Sequence, residues 1–192
     1  MTTHKTNKQI QLKAVLLPIL TILIIISLSL FFIKYRLVDT ERTARHGIRA
    51  IGDQVPDFAI TDMNGKKSTI STVKAKVMML NFWATWCDAC LQEMPSIVAL
   101  RNKFHPQGFE VVGINLDENP AAVVPRAVQR YQISFPVFQD PNGSIAEIFD
   151  VMAIPLTVFM NSKREIIHYQ NGEFDWSSES VQTMLKNWLE KP

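Results

Sequence analysis

The sequence predicts an α/β domain on a central mixed sheet flanked by helices, preceded by one transmembrane helix. Three observations carry this. After residue 51, apolar runs of strand length alternate with stretches of helical length, the pattern of a partly parallel sheet. The last two strand-like runs are joined by a short turn and followed by a helix, which adds an antiparallel edge. Residues 14–33 carry no charge and are long enough to cross a bilayer as a single helix.

In chain order, residues 1–13 read as a short cytoplasmic N-terminus with Lys5, Lys8 and Lys13. The anchor 14–33 follows, and Pro18 near its start is tolerable in a membrane helix. A signal peptide has a shorter apolar core and a small-residue cleavage site. No Ala-x-Ala site follows the span, so an uncleaved anchor is expected, with a cleaved one as the lesser alternative. Lys34, Arg36, Arg42, Arg45 and Arg49 outnumber the three lysines before the span. The positive-inside rule alone would therefore place the C-terminal side in the cytoplasm. The cysteine chemistry below argues for the reverse, and the reverse is the expectation. Residues 34–50 are charged and aperiodic, hence a linker whose basic residues suit lipid headgroups. Net charge is only +2, with nothing that suggests nucleic-acid binding. Residues 51–192 are the size of one domain.

Within that domain, Phe58–Thr61 reads as a short strand before a turn at Asn64-Gly65. Val77–Trp83 is a strong buried strand. A helix should run from the cysteines to about Phe104, kinked by Pro95 and ended by Gly108. Residues 109–115 form a second buried strand. A helix follows over about 121–131, started by Asn119-Pro120 or Val124-Pro125. Residues 135–138 and 156–160 are further strands, with a short helix at 144–149 between them. Residues 165–170 make the last strand before the Asn171-Gly172 turn. The C-terminal helix is expected near Ser177, with its hydroxyl as cap and Trp176 and Val181 as a hydrophobic staple.

The chemistry sits in Trp86-Cys87-Asp88-Ala89-Cys90, which holds both cysteines of the chain. Two thiols at this spacing, where a strand ends and a helix begins, can close a disulfide on each other. The helix N-terminus carries partial positive charge and free N–H groups, so it favours a thiolate on Cys87, the reactive form. Cys87 is thus the candidate nucleophile and Cys90 the residue that resolves the mixed disulfide. A structural staple would close too short a loop to be useful. A zinc site needs four ligands, and His4, His46, His105 and His168 show no ligand spacing. Asp88 should disfavour the Cys87 thiolate and make the couple more reducing. Glu93 lies three residues after Cys90 on the same helical face. By periodicity alone this is a solvated helix charge; a partly buried carboxyl there can relay the proton of Cys90, the reading that the resemblance given below favours.

The strand Leu80-Asn81-Phe82-Trp83-Ala84, then Thr85-Trp86-Cys87-x-x-Cys90, and later Ile154-Pro155-Leu156-Thr157, resemble thioredoxin-fold proteins. More narrowly, the chain resembles the TlpA/ResA/CcmG-type membrane-anchored thiol-disulfide oxidoreductases. The features are the anchor followed by Gly52-x-x-Val55-Pro56-Asp57-Phe58, Glu93 and Pro95 after the cysteines, and an insert with Val112-Gly113-Ile114-Asn115-x-Asp117 and Phe135-Pro136-Val137-x-x-Asp140. The chain departs from the pattern at Ala89, where the family usually has proline, and in the turn 161–164, which lacks a glycine.

The resemblance implies a thioredoxin-like fold, no metal and no cofactor beyond the redox-active Cys87–Cys90 pair. It implies a cis bond before Pro155, which turns the Ile154 backbone outward beside Cys87 for an extended substrate strand. Asn81 stands where thioredoxins carry a buried acid, which leaves Glu93 as the relay. Trp83 reads as core, and Trp86 as a wall of the substrate surface. The expected protein is a monomer on the bacterial inner membrane with its domain in the periplasm or extracytoplasmic space. It reduces protein disulfides, such as those of apocytochrome c or its maturation factors, and is recharged by a membrane thiol-transfer donor. The same residues with the opposite poise would make a disulfide-donating oxidase. A non-enzymatic copper-binding or assembly module is a third reading, although no further histidine or methionine pairs obviously with the thiols.

Overall fold

Two apolar runs, Val77–Trp83 and Phe109–Asn115, are buried at every position and lie side by side in parallel. They are the centre of the fold because neither has a face that suits water. The structure is a computed structural model that describes residues 24–32 and 50–190. The element order is β1 (Ala59–Thr61), β2 (Lys67–Thr69), β3 (Val77–Trp83), α1 (Asp88–Phe104), β4 (Phe109–Asn115), α2 (Pro120–Tyr131), β5 (Val137–Gln139), α3 (Ser144–Ile148), β6 (Leu156–Asn161), β7 (Ile166–Asn171) and α4 (Glu179–Glu190). The main sheet runs β5-β4-β3-β6-β7, parallel on the β4 side of β3 and antiparallel on the β6 side. This is the thioredoxin-like mixed sheet. β1 and β2 form a separate hairpin.

Side-chain alternation along β3 splits the core in two. Val77, Met79 and Trp83 pack with Met94, Ile97 and Phe104 of α1 and with Trp176, Val181 and Leu185. Met78, Leu80 and Phe82 pack on the other face with Phe58, Ile60, Ile70 and Phe149. Asn81 falls on the α1 side by the same alternation and is fully buried, a polar residue where only apolar ones precede it.

Several elements differ from expectation. β5 starts at Val137 rather than Phe135, because Pro136 has no N–H for a ladder. α2 starts at Pro120, which settles the choice between the two prolines in favour of Asn119-Pro120. α1 runs unbroken through Pro95. The helix expected near Ser177 begins at Glu179. The Ser177 hydroxyl is not a cap, since it and the Ser177 N–H both donate to Asp175 Oδ1, at 2.5 and 2.9 Å. In the turn 161–164, Arg164 takes the left-handed conformation (φ 61°) that a glycine would have filled. Its Nε donates to the Val55 carbonyl at 3.1 Å.

Residues 24–32 are helical and exposed. Among the described residues, no helix is long and apolar enough to cross a membrane. The rest of the expected anchor (14–23 and 33), the N-terminus 1–13 and the linker up to residue 49 lie outside the described residues.

Candidate active site

The site is built where β3 hands over to α1. Cys87 N donates to the Ala84 carbonyl at 3.2 Å, which closes the turn between the two elements. Asp117, at the C-terminal end of β4, is buried and braces this turn. Its carboxylate accepts from Thr85 N at 2.9 Å, from Thr85 Oγ1 at 2.8 Å and from Asn115 Nδ2 at 2.8 Å. The motif Asn115-x-Asp117 is thereby a clamp on the residue two before Cys87.

Cys87 is the N-cap of α1, and a disulfide joins it to Cys90 (S–S 2.09 Å). Cys87 Sγ accepts from Cys90 N at 3.2 Å, so a helix N-terminal donor points at the outer sulfur. Exposure separates the two sulfurs: Cys87 keeps 9% of its surface and Cys90 none, so an incoming disulfide meets Cys87. Asp88, between them, is exposed in the first turn of α1.

The Ile154–Pro155 bond is cis. The Ile154 carbonyl oxygen lies 3.8 Å from Cys87 Sγ. Ile154 is half-buried and Pro155 buried. Trp86 beside Cys87 is 68% exposed, and Met152, two residues before Ile154, is 83% exposed. Both are large apolar side chains that solvent reaches, Trp86 adjoining Cys87 and Met152 close to Ile154 along the chain. Trp83, by contrast, is fully buried, and its Nε1 has no hydrogen-bond partner.

Glu93 is 2% exposed. Asn81 Nδ2 donates to its Oε1 at 2.8 Å. Phe174 N and Trp176 Nε1 both donate to its Oε2, each at 3.2 Å. Burial pushes the Glu93 carboxyl above its ordinary value, and these three donors only partly offset that. Asn81 Nδ2 also reaches Thr157 Oγ1 on β6 at 3.0 Å, whereas Asn81 Oδ1 is buried without a partner.

Of the residues singled out from sequence, Cys87 meets the Ile154 carbonyl, Trp86 is exposed beside Cys87 in the chain, and Pro155, Cys90 and Glu93 are buried. The reading did not anticipate Asn81, Thr157, Phe174 and Trp176 as the surroundings of Glu93. Asn81 had a signal: a lone amide in a wholly apolar strand must find a buried partner. The other three had none, because Trp176 is 83 positions from Glu93 in sequence. Among the described residues, no group of three or more His, Cys, Asp or Glu is placed to hold a metal ion.

The chain matches the AhpC/TSA family model over residues 51–169. It is 34% identical to the thiol-disulfide oxidoreductase ResA of Bacillus thuringiensis over 136 residues, which cover 71% of this chain and 77% of that protein. The Bacillus subtilis protein of the same name is 33% identical over 121 residues, 63% of this chain and 67% of its own length. A crystal structure assigned to the thiol:disulfide interchange protein DsbE of Chlorobium tepidum superposes with a TM-score of 0.67 at 25% identity, covering 74% of this chain and 99% of that one.

Proposed function

The chain belongs to the AhpC/TSA family and is a thiol-disulfide oxidoreductase of the ResA type, and from that membership we propose that it acts as a membrane-tethered dithiol reductase on the extracytoplasmic side of a bacterial inner membrane. The observation that carries the reading is the asymmetry of the pair: Cys87 is open beside the Ile154 carbonyl, and Cys90 is closed off with Glu93 one turn behind it.

The reaction starts from the dithiol. The Cys87 thiolate attacks a substrate disulfide and forms a mixed disulfide, and the first substrate sulfur leaves and takes a proton. An extended substrate strand pairs with the Ile154 backbone while Trp86 and Met152 cover its apolar side chains. Cys90 then gives its proton to Glu93 and attacks Cys87 Sγ. The Cys87–Cys90 disulfide closes, the second substrate sulfur leaves as a thiol, and two electrons have passed to the substrate. A membrane thiol-transfer donor returns the pair to the dithiol, and the anchor keeps the domain near that donor. Substrates of the apocytochrome c class, and a monomeric state, fit this scheme. No metal or cofactor takes part in it. Asp88 disfavours a thiolate on Cys87 and so shifts the couple toward reduction of others.

The test is the equilibrium reduction potential of the full chain in glutathione and dithiothreitol buffers. The reading expects a value near or below thioredoxin's, about −270 mV. A value near that of a strong oxidant, about −120 mV, would replace the reductase with a disulfide donor.

A further inference from the structure

Asn81 is the buried polar group that the scheme above leaves without a task. It is fully buried, it touches Glu93 directly, and one end of its amide has no partner. We propose that Asn81 is a positioning residue for the resolving step: its amide steers Glu93 Oε1 while Glu93 is ionised, and turns over to accept from Glu93 once the proton has arrived. The inference rests on the role of Glu93 as relay.

The geometry gives the reasons. With Glu93 ionised, both carboxylate oxygens need donors. Oε2 has two of them from the segment before α4, and Oε1 has Asn81 Nδ2. Asn81 is therefore the donor to Oε1 and the amide that fixes it. Once a proton sits on Oε1, an Asn81 N–H facing it becomes a donor against a donor. Turning the amide by half a revolution puts Oδ1 in that place, where it accepts the Glu93 O–H. Thr157 Oγ1, the other neighbour of Nδ2, is a hydroxyl and can accept in one state and donate in the other. Because Oδ1 is now unpartnered, the turn breaks no bond at the far end. Each orientation satisfies Glu93 and Thr157 and leaves one end of the amide free, so the proton decides between them.

The titratable groups near Glu93 are few. At the start of α1 they are Cys87 (its cap), Asp88 and Cys90, while Arg101 and Lys103 in its last turn bond Glu110 and Gln182, and on the segment before α4 they are Glu173 and Asp175. Of these, Glu173 acts on Glu93 as a like charge. β3 and β6 bring no titratable side chain. No cation in these segments holds Glu93 ionised, which leaves that task to neutral donors.

The test uses the reduced full-length protein and a chromogenic aryl disulfide in stopped flow. Release of the first thiolate reports attack by Cys87, and release of the second reports resolution by Cys90. In Asn81→Leu the second release should slow about tenfold near pH 6, the effect of one lost hydrogen bond to a charged group. Its pH profile should move to higher pH while the first release stays as in the wild type. In a Glu93→Gln background, Asn81→Leu should change neither phase. An equal slowing in both backgrounds, or an unmoved pH profile, overturns the proposal. A second measurement needs no variant: in the oxidised wild type, the Asn81 side-chain amide NMR pair should titrate with the midpoint of the Glu93 carboxyl carbon. An amide pair that stays fixed through that titration overturns it as well. A wild type that releases no thiolate, or a Cys87→Ser variant that still does, refutes the exchange reading itself.

Discussion

Glu93 should make the folded state lose stability as the pH rises, and Glu93→Gln should remove that loss. The carboxyl is 2% exposed and its folded-state value lies above the ordinary 4.5. Between those two values the native chain holds a proton that the unfolded chain has released. The native state binds more protons in that window, so stability falls as the pH climbs through it. The stabilisation from this group is complete below pH 4.5 and lost as the pH passes the raised value. One proton gives a slope of at most about 1.36 kcal/mol per pH unit. Glutamine has no proton to lose, so the variant should gain on the wild type steadily as the pH rises from 4.5. His168 slopes the other way, because burial holds it below its ordinary 6.5 and it loses stability on acidification. The exposed Asp57 and Asp175, both lowered by hydrogen bonds from serine, also lose stability as the pH falls. These contributions are common to both proteins and cancel in the difference. The assay is urea unfolding of the oxidised proteins from pH 4 to 8, plotted as variant minus wild type. A difference that is flat, or that falls with pH, refutes the assignment of a raised, buried carboxyl.

Three further outcomes follow from the packing. Gly113→Ala would place a Cβ 3.0 Å from Trp83 Nε1 and 3.1 Å from Phe135 Cε2, both on rings held in the core. It should destabilise by about 1–3 kcal/mol in the same urea assay. Asp117→Asn removes the charge from a buried carboxylate whose two oxygens now accept three hydrogen bonds, so charge-assisted bonds become neutral ones. It should cost about 1–3 kcal/mol and slow attack by Cys87, read as the first phase in stopped flow. His168 packs against the rings of Phe159 and Trp188, at 5.9 and 5.8 Å. His168→Phe should therefore shrink the drop in melting temperature between pH 7 and pH 5, measured by circular dichroism.

The elements that were legible in the sequence were those whose local pattern and tertiary role agree. β3 and β4 are buried at every position and largely apolar because both faces are covered, so pattern and burial carry the same message. The active-site turn was legible because its chemistry is contiguous. The cap of α4 was not, because three serines follow Trp176 within four residues and their hydroxyls are all engaged with one another or with Asp175: Ser177 bonds Asp175 and Ser178 meets Ser180. β5 was misplaced because its apolar run includes Pro136, which fits the pattern but not the ladder. The surroundings of Glu93 were hidden for a different reason. Its donors come from β3 and from the segment before α4, and no local pattern links segments that far apart. Helical spacing can place a carboxyl on the same face as a cysteine, but it cannot say what else the fold brings to it.

The stretch from Gly52 to Val55 has a consequence for how the domain coexists with its own copies. Gly52 N donates to Ile166 O, Ile166 N to Asp53 O, and Val55 N to Arg164 O, at 2.8, 2.9 and 2.9 Å, with Gln54 bridged to Glu165. This short stretch lies along the beginning of β7, which is otherwise an outer strand of the sheet with its backbone open on one side. At the other border, Asp62 bridges Phe138 of β5. Both borders are thus partly occupied by the chain's own backbone. Open strand borders are templates for intermolecular pairing, so the stretch from Gly52 to Val55 works as a guard against self-association. Without it, the same sheet would present fresh backbone donors and acceptors to any neighbour held at high density in two dimensions.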